Sequence, residues 1–465
     1  MSRESWFGSL FARSHRSAPY ITSIGLMHAP RRALFLVACV WAGGVLLSSR
    51  VEASKWTVSP LNSLVLDTSN VSVSEMSGVT YLGPSPTAGK HRFLTVQDDG
   101  GLLITIDVEF NANGSLVSAE AVDDLLLSQS LDFEGVAYTD PSRNTVFLSY
   151  EDDPGVREYR LSDGVLEQSV TIPAVFANRR SNKGFESLAR NPVGTVMWTA
   201  NEEALTVDGS LATPSAGSPV RLLELNVAGN AVTAGDQYVY EVEPIHGSST
   251  LGSPRSGLSD LLALPDGTLL GLERSVAVTS PIYLSRIYEI DFDGATDVSA
   301  AAFNSGLIGQ TYTPVGKELL WAGAADGSSG QNLEGLALGP RLTNSNWALL
   351  GVVDDGDSLS SNTIVSFELS ANPSADFDED GDVDGFDFLT LQRNLGTVGP
   401  LATHANGDAN GDDQINDADL AVWEAQYGSA PPLSAVSAAV PEPTTCTLAL
   451  AALCLAMSRR RIAAR

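Results

Sequence analysis

Gly184-Phe-Glu-Ser-Leu-Ala189 and, behind it, Met197-Trp-Thr-Ala-Asn-Glu-Glu203 carry the pattern that decides the fold of this 465-residue chain. A small residue opens a short apolar run, a turn follows at Asn191-Pro-Val-Gly194, and a second apolar run ends in carboxylates. Apolar and β-branched residues bounded by Pro, Asn and Gly are typical of short strands. The stretch therefore predicts two strands joined by a turn, with acidic residues at the open end.

The same pattern occurs four more times along the chain. The copies are Met76–Val79 with Phe93–Asp99, Asp132–Ala137 with Val146–Asp152, Ser256–Leu258 with Leu269–Arg274, and Asn332–Ala337 with Trp347–Asp355. A repeat of roughly 50 to 80 residues is typical of propellers, in which each blade is a four-stranded sheet. Further strand candidates lie between the copies. Residues 54–370 are therefore predicted to form an all-β propeller with six blades, and five or seven blades stay open as alternatives.

Acidic residues recur at equivalent places in these copies. If the two strands are the inner pair of a blade, strand one starts and strand two ends at the same face of the disc. Glu134, Glu186 and Glu334 open a first strand. The carboxylates that close a second strand are Glu151, Asp152, Glu202, Glu203, Glu273, Asp354 and Asp355. We expect both sets to converge on one rim of the central channel.

Charge and cysteine content exclude several classes of function. The chain has 56 acidic and 27 basic side chains, so phosphate-driven nucleic-acid binding is disfavoured and metal cations are the natural counter-charge. The three cysteines, Cys39, Cys446 and Cys454, lie in terminal apolar runs, which excludes a disulfide or a cysteine zinc site in the body. No G-x-S-x-G motif is present, which disfavours a serine-hydrolase triad.

Residues 371–430 contain two acidic loops with the same spacing. Oxygen-bearing residues stand at positions 1, 3, 5, 7, 9 and 12, the arrangement that wraps ligands around a calcium ion. Apart from position 9, they are Asp376, Asp378, Asp380, Asp382 and Asp387 in the first loop, and Asp408, Asn410, Asp412, Gln414 and Asp419 in the second. Helical runs follow at Phe388–Leu395 and Leu420–Tyr427 and end at Gly396 and Gly428. A small all-α module that binds Ca²⁺ is predicted, with an acidic disordered linker as the alternative.

The two loops resemble a type I dockerin, in which position 12 is Asp. In the second loop Asp413 replaces the glycine of position 6, and it tolerates a left-handed backbone better than most residues. The resemblance implies bound calcium and, in the family, a cohesin partner. Dockerins often use a Ser-Thr pair for cohesin recognition, and this chain has Gly385-Phe386 and Asp417-Ala418 there. These residues disfavour cohesin binding and favour a calcium-stabilised spacer.

Both ends of the chain carry targeting signals. Residues 1–53 are predicted to be a signal peptide, with an apolar run from Ala33 to Leu47 behind two arginines and a cleavage site before Ser54, although Met27 would be a more ordinary start. After a linker at 431–439, residues 440–465 resemble the PEP-CTERM sorting tail, with Val440-Pro-Glu-Pro443, an apolar run and Arg459-Arg-Arg461. The resemblance implies processing by an exosortase and transient membrane anchoring of an exported protein. A plain C-terminal anchor is the alternative.

The repeat resembles the phytase-like family of secreted propellers, which is described by the esterase-like activity of phytase. The resemblance lies in Lys183–Ala189, the strand from Trp198 to Glu202, Leu269–Arg274 and Asn332–Ala337. It implies a six-bladed propeller and hydrolysis of phosphoesters or esters.

A metal-assisted hydrolase would use the rim carboxylates to hold Ca²⁺ in the channel. Glu186, Glu202, Glu273 and Asp354 are the predicted ligands, and Arg274 is expected to contact a phosphate or a developing oxyanion. Other cations nearby in sequence are Arg179, Arg180 and Lys183.

The same residues allow other functions. A glutamate that opens an inner strand can accept N–H bonds from the next blade, and Glu273 with Arg274 can form an ion pair. The propeller would then be a non-catalytic surface module that binds a glycan or a protein. A lactonase of the propeller type is a third option.

Overall fold

The computed structural model describes residues 54–429, except for residues 99, 152, 248–254 and 328–329. Within these residues, twenty strands form five antiparallel sheets of four strands each. The predicted all-β propeller is confirmed, with a small helical module after it. The predicted signal peptide, linker and sorting tail lie outside the described residues.

Each sheet is one blade. The first strand of the described residues, β1 (Trp56–Val65), joins the last blade. Blade 1 contains β2 (Met76–Pro84), β3 (His91–Gln97), β4 (Leu102–Phe110) and β5 (Leu116–Leu126). Blade 2 contains β6 (Phe133–Tyr138), β7 (Thr145–Tyr150), β8 (Gly155–Arg160) and β9 (Leu166–Ser169). Blade 3 contains β10 (Ala189–Arg190), β11 (Val196–Ala200), β12 (Ser218–Ala228) and β13 (Ala231–Val242). Blade 4 contains β14 (Arg255–Ala263), β15 (Leu269–Val276), β16 (Tyr283–Asp291) and β17 (Gly316–Gly323). Blade 5 contains β18 (Asn332–Arg341), β19 (Trp347–Asp354) and β20 (Thr363–Ala371), followed by β1.

The expectation of six blades is wrong, because the strand candidates outside the five sequence copies are the outer strands of the same five sheets. Leu102–Asp107 lies in β4, for example, and Val220–Leu225 lies in β12. β1 adds no blade either, because it pairs with β20 from Trp56–Ala371 to Val65–Thr363 and becomes the fourth strand of blade 5.

The first strands of the blades form the inner ring. Among the described residues, β2 contacts β6, β6 contacts β10, β10 contacts β14, β14 contacts β18, and β18 contacts β2. The inner strands approach closely at small residues. A Cβ atom on Gly78 would lie 2.5 Å from Glu134 O, and one on Gly135 would lie 2.3 Å from Leu188 N. Because these neighbours are backbone atoms, the recurring Glu-Gly pair is a packing requirement of the ring.

Apolar side chains fill the space between neighbouring blades. Leu222 of blade 3 clusters with Leu258 of blade 4, and Phe147 of blade 2 clusters with Leu223 of blade 3. Each neighbouring pair of blades in the described part of the chain shares one such cluster. Burial of this apolar surface provides the driving force that holds the blades together.

The helical module follows the propeller directly. Its helices are α1 (Gly385–Asn394) and α2 (Asp417–Gln426), each preceded by one of the acidic loops. Gly396 and Gly428 follow the helices with φ of 89° and 77°, as expected for glycines that end a helix. The module contacts blade 5 through an ion pair between Arg341 and Asp413, 2.8 Å apart. None of the helices in the described part of the chain is long and apolar enough to cross a membrane.

Candidate functional site

The inner strands begin at one rim of the ring with equivalent residues. Ser77, Glu134, Ser256 and Glu334 each precede a glycine at the start of an inner strand, and Glu186 precedes Ser187 just before β10. A register shift occurs at this point in several blades, for example between Phe133 and Val136 in blade 2. Such bulges redirect side chains and are common next to functional sites.

A cavity of about 240 Å³ opens at this rim. Both the starts of first strands and the ends of second strands contribute to it, as the hairpin geometry requires. It is lined by Asp98, Glu134, Glu151, Asn182, Lys183, Glu186, Arg255, Arg274, Val276, Tyr283, Asn332, Glu334 and Asp354. The lining is divided into an acidic side and a mixed-charge side.

The acidic side is formed by Glu134, Glu151 and Glu186, from blades 2 and 3. Each offers a carboxylate oxygen, and these oxygens lie within 4.8 Å of one another. All three side chains are buried, Glu151 with 1% exposure. Ser77 Oγ donates to Glu134 Oε2 over 2.5 Å, whereas neither oxygen of Glu151 has a hydrogen-bond partner among the described atoms. A further acidic group, Asp98 and Asp132 with Glu134, adjoins this one.

The close approach of these carboxylates changes their protonation. Burial raises the pKa of Glu134, and repulsion from Glu151 and Glu334 adds to the effect. Burial also raises the pKa of Glu186, again with repulsion from Glu134 and Glu151. Without a compensating cation, Glu134 and Glu186 therefore tend to retain protons.

Two cations and a shared glutamate organise the mixed-charge side. Lys183 Nζ lies 2.5 Å from Glu202 Oε2, and Arg274 Nη2 lies 2.5 Å from Glu202 Oε1. Burial opposes ionisation of Glu202, but the two cations outweigh it and hold its pKa below the usual range. Arg274 also donates from Nη1 to Glu334 and, over 2.7 Å, to Asn332 Oδ1.

The side-chain amide of Asn332 joins two further carboxyls of the cavity. Its Nδ2 donates to Glu334 Oε1 over 2.9 Å and to Asp354 Oδ2 over 2.7 Å. Burial raises the pKa of Glu334 to about 8, although Arg274 works against this. Burial also raises the pKa of Asp354, and the Gly356 N–H and the Asn332 amide partly offset the rise. A protonated carboxyl can therefore persist beside an arginine at neutral pH.

The structure brings four of the five predicted propeller site residues together. Glu186, Arg274 and Asp354 line the cavity, and Glu202 lies directly behind it between Lys183 and Arg274. Glu273 lies elsewhere, because adjacent residues of β15 point to opposite faces of the sheet. Its carboxylate accepts from Tyr240 Oη, from Lys317 Nζ and from the backbone N–H of Glu243, at 2.7 to 3.0 Å.

Other sequence expectations at the rim have mixed outcomes. Glu134, Glu151 and Glu334 reach the cavity, although none of them was chosen as a metal ligand. Arg179 donates to the backbone carbonyl of Glu151, and Arg180 donates to that of Ala204. Neither arginine lines the cavity. Arg255, Asn332 and Tyr283 were missed. Asn332 opens the sequence repeat of blade 5 and Arg255 directly precedes the repeat of blade 4, so their positions in the repeat indicate the rim. Tyr283 lies in β16, the third strand of blade 4, and no repeat marks it.

The two acidic loops of the helical module have matching geometry. Asp387 accepts N–H groups from Phe377 and Asp384 at 2.7 and 2.8 Å, and Asp419 accepts from Ala409 and Asn416, both at 2.8 Å. Position 6 is left-handed in both loops, with φ of 93° at Gly381 and 61° at Asp413. The expectation that Asp413 accommodates this conformation is met.

The first loop fits a calcium ion. Asp376, Asp378 and Asp387 offer oxygens within 4.8 Å of one another, and Asp376 Oδ1 is buried without a hydrogen-bond partner. In the second loop Asp408 accepts backbone N–H groups from Gly411 and Asp413, which orders the loop in the same way. A hard cation with oxygen ligands is the group that this donor set suits.

The family model for the phytase-like domain, described as "esterase-like activity of phytase", matches residues 71–357. The chain belongs to the phytase-like family. A model of the type I dockerin domain matches residues 374–425, which confirms the predicted module. Dockerin domains of this type bind calcium and usually a cohesin partner, and both domains are typical of extracellular proteins.

Solved structures similar to this phytase-like chain are distant. The endo-arabinase from Bacteroides thetaiotaomicron is 14% identical over 65% of this chain and 96% of its own, with a TM-score of 0.36. Hydrazine synthase from Kuenenia stuttgartiensis is 10% identical over 62% of this chain and 78% of its own, with a TM-score of 0.31. Neither likeness carries an argument about function. The comparison with curated proteins found no match.

Proposed function

We propose that the phytase-like propeller hydrolyses anionic phosphoesters or esters in the rim cavity. The observation that carries this proposal is the meeting of Arg274, a cation with a largely buried side chain, with Glu334 and Asp354 in one cavity. Arg274 can bind an oxyanion, and the two carboxyls beside it can exchange protons with a leaving group and a water. Family membership supports the reaction class, because the family is described by esterase-like activity.

Each residue has a distinct role in this reaction. Arg274 and Arg255 bind the substrate oxyanions, since both line the cavity. The water oxygen forms the new bond to phosphorus or carbon as the ester bond to the leaving oxygen breaks. Glu334, with its pKa raised to about 8, gives its proton to the leaving oxygen. Asp354 accepts the proton that the water loses, and the Asn332 amide holds the two carboxyls in place.

Turnover of p-nitrophenyl phosphate and p-nitrophenyl acetate by the whole purified chain tests this function. Glu334→Gln keeps the shape of the side chain and removes the proton donor, so kcat should fall by about 10²–10⁴-fold. Arg274→Gln should lower kcat/KM by about 10²–10³-fold through loss of oxyanion binding. Arg92→Gln is the control, because Arg92 pairs with Asp107 in blade 1 and does not line the cavity.

The result also separates the two classes of function. Thermal unfolding must show that each variant remains folded. Equal turnover by Glu334→Gln and wild type would remove Glu334 from the mechanism. A folded wild type that turns over neither substrate would reject hydrolysis of these ester classes and would favour the alternative, a surface propeller that binds a glycan or a protein.

We further propose that the chain is exported and processed at both ends. Residues 1–53 would be removed as a signal peptide, and residues 440–465 would be recognised and cleaved by an exosortase after transient membrane anchoring. The motifs quoted from the sequence support this proposal. Mass spectrometry of the secreted protein should find Ser54 at the N-terminus and no residues of the tail, and retention of either segment would contradict it.

We also propose that both dockerin loops bind Ca²⁺ through the predicted ligands. Asp376, Asp378, Asp380, Asp382 and Asp387 would serve the first loop, and Asp408, Asn410, Asp412, Gln414 and Asp419 the second, with the backbone carbonyl acting at position 7. A cohesin-like partner remains the family's expectation, which Gly385 and Phe386 disfavour. Binding of a cohesin to the purified chain, measured by calorimetry, tests that point.

A further inference from the structure

We infer that the acidic side of the propeller cavity binds one calcium ion, held by Glu134, Glu151 and Glu186. The site is separate from the two dockerin loops. It also differs from the ligand set expected from the sequence, because it draws on blades 2 and 3 only.

The spacing of the oxygens suits calcium. Calcium binds oxygen at about 2.3–2.6 Å, so two ligands on opposite sides of the ion lie up to about 5 Å apart. The three glutamates offer oxygens within 4.8 Å of one another. Magnesium gives up its bound waters reluctantly and is rarely held by a cage of protein carboxylates alone, which this cluster of three glutamates would require. Neither histidine nor cysteine lines the described cavity, so a softer metal is disfavoured.

Glu151 supplies independent evidence for a ligand. Its side chain is 1% exposed, and neither carboxylate oxygen has a hydrogen-bond partner among the described atoms. Lys183 Nζ lies 3.8 Å from Glu151 Oε1, beyond hydrogen-bond distance, and is engaged by Glu202 at 2.5 Å. Glu158 in the same blade is equally buried, but Arg143, Thr145 and Gln168 all donate to it. A buried carboxylate without donors is costly unless something else binds it.

The charge balance of the cluster points the same way. Four buried carboxyl groups and one largely buried carboxyl group meet two cations here, which leaves an excess of three negative charges when all are ionised. The acids are Glu134, Glu151, Glu186, Glu202 and Glu334, and the cations are Lys183 and Arg274. A divalent cation at the acidic side would neutralise most of this excess at the place where it is concentrated.

The ion would also contribute to the proposed reaction. Bound next to Lys183, it would add positive charge facing the oxyanions of a substrate, which the two cations of the mixed-charge side provide only in part. This role rests on the proposed hydrolase function. The binding itself does not, and it can be measured without a substrate.

The test counts calcium ions per chain by equilibrium dialysis and elemental analysis of the whole purified protein. Glu151→Gln preserves shape and breaks no hydrogen bond, so it should bind one calcium ion per chain fewer than wild type. Glu158→Gln is the matched control, a buried glutamate of the same blade away from the cavity, and it should bind as many ions as wild type. Circular dichroism confirms folding of each variant.

Equal calcium numbers for wild type and folded Glu151→Gln would overturn the inference. If Glu151→Gln does not fold, a calcium-soaked crystal of the wild type decides. An ion about 2.3–2.6 Å from oxygens of Glu134, Glu151 and Glu186 supports the site, and its absence there rejects it. Calcium binding at this site without ester turnover would contradict only the proposed hydrolase function. Ester turnover by a protein that binds no calcium at this site would contradict only the proposed calcium site.

Discussion

The dockerin loops and the propeller cavity both gather carboxylates, but they do so by different means. In the first loop, Asp376 and Asp387 lie within twelve consecutive residues, and backbone N–H groups of the loop itself orient them. In the cavity, Glu134 and Glu151 come from the β6–β7 hairpin of blade 2 and Glu186 comes from blade 3, so the three meet only where two blades pack together. The loops are therefore a local feature of the chain, and the cavity is a property of the whole propeller.

This difference implies that the stability of the helical module depends on bound calcium, whereas the stability of the propeller depends on apolar packing between blades. A calcium loop loses stability without its ion, because its ligands then repel one another, and the module has only a small apolar core, around Phe377 and Leu391, to oppose this repulsion. The cavity is imposed by apolar clusters between blades, which do not depend on an ion. We expect removal of calcium to lower the stability of the helical module first. Substitutions in the inner strands should lower the stability of the propeller.

Calcium chelation should give the largest effect. At 1,000 times the dissociation constant, a bound ion stabilises a fold by about 4 kcal/mol. Adding EGTA should therefore lower the hydrogen-exchange protection of amides in α1 and α2 by roughly 10³-fold per loop. Amides of β15 and β19, strands that supply none of the proposed calcium ligands, should keep most of their protection. An equal loss in the sheets and the helices would break the distinction between the two regions.

A change of pH should act on the propeller through Asp260. This buried side chain accepts the N–H of Leu261 at 2.8 Å and that of Leu336, in blade 5, at 2.7 Å. Burial raises its pKa from 3.8 to about 8, even though these donors lower it. Between these values only the unfolded chain releases the proton, so the contribution of Asp260 to stability is fully present below pH 3.8 and is lost as pH rises towards 8.

The size of this loss is on the order of 5 kcal/mol, because each pH unit between the two pKa values of Asp260 costs about 1.4 kcal/mol. Denaturant unfolding of wild type between pH 4.5 and 8, in saturating calcium, measures it. Asp260→Asn has the same size and does not titrate, so the stability difference between wild type and variant should shrink as pH rises. A difference that is constant with pH would contradict the assignment.

Glu273 offers a comparison with Glu151 inside the propeller. Glu273→Ala should cost about 1–3 kcal/mol of unfolding free energy, because the hydroxyl of Tyr240 and the N–H of Glu243 would lose their acceptor, whereas Lys317 keeps its ion pair with Glu243. Glu151→Gln in EGTA should not lower the unfolding free energy, since its oxygens make no hydrogen bonds and Glu134 and Glu186 repel its charge. Chemical denaturation measures both, and equal costs would show that the two glutamates are alike.

Glycine substitutions should give the smallest effects and opposite signs in the two regions. Gly78→Ala would place a Cβ 2.5 Å from Glu134 O and 2.8 Å from Val136 N, so we expect a loss of about 1–3 kcal/mol from overpacking of backbone. A Cβ at Gly385, at the start of α1, would meet nothing within 4 Å, so Gly385→Ala should stabilise the module by about 0.5 kcal/mol. Thermal unfolding of each region gives the two signs.

The same contrast explains what the sequence could predict. The calcium loops, their helices and their glycine ends follow from local spacing, and Gly396 and Gly428 occupy the expected positions. The propeller itself follows from repetition. The number of blades does not, because outer strands such as β1 look the same in sequence whether they complete an existing sheet or begin another one.

The sequence predicts that acidic residues gather at one rim of the propeller, but it does not predict which side chains contact one another there. Glu273 and Arg274 are neighbours in sequence, yet Arg274 faces the cavity and Glu273 faces the boundary between blades 3 and 4. Which of two adjacent strand residues faces inward depends on the register of β15 with β14, and that register shifts between Leu258 and Asp260. Neither the shift nor the sharing of Glu202 by Lys183 and Arg274 has a signature in one sequence.

The pairing of β1 with β20 has a consequence for the order of events during synthesis. Thr57 Oγ1 donates to Asn372 Oδ1 across 315 residues of chain, so the earliest strand to leave the ribosome must wait for nearly the whole propeller before it finds its neighbour. Contacts at such separation are slow to form, and a waiting strand edge invites aggregation. Blades 1 to 4 consist of consecutive strands and can form in chain order, but the ring cannot be completed until residue 371 is available to pair with β1.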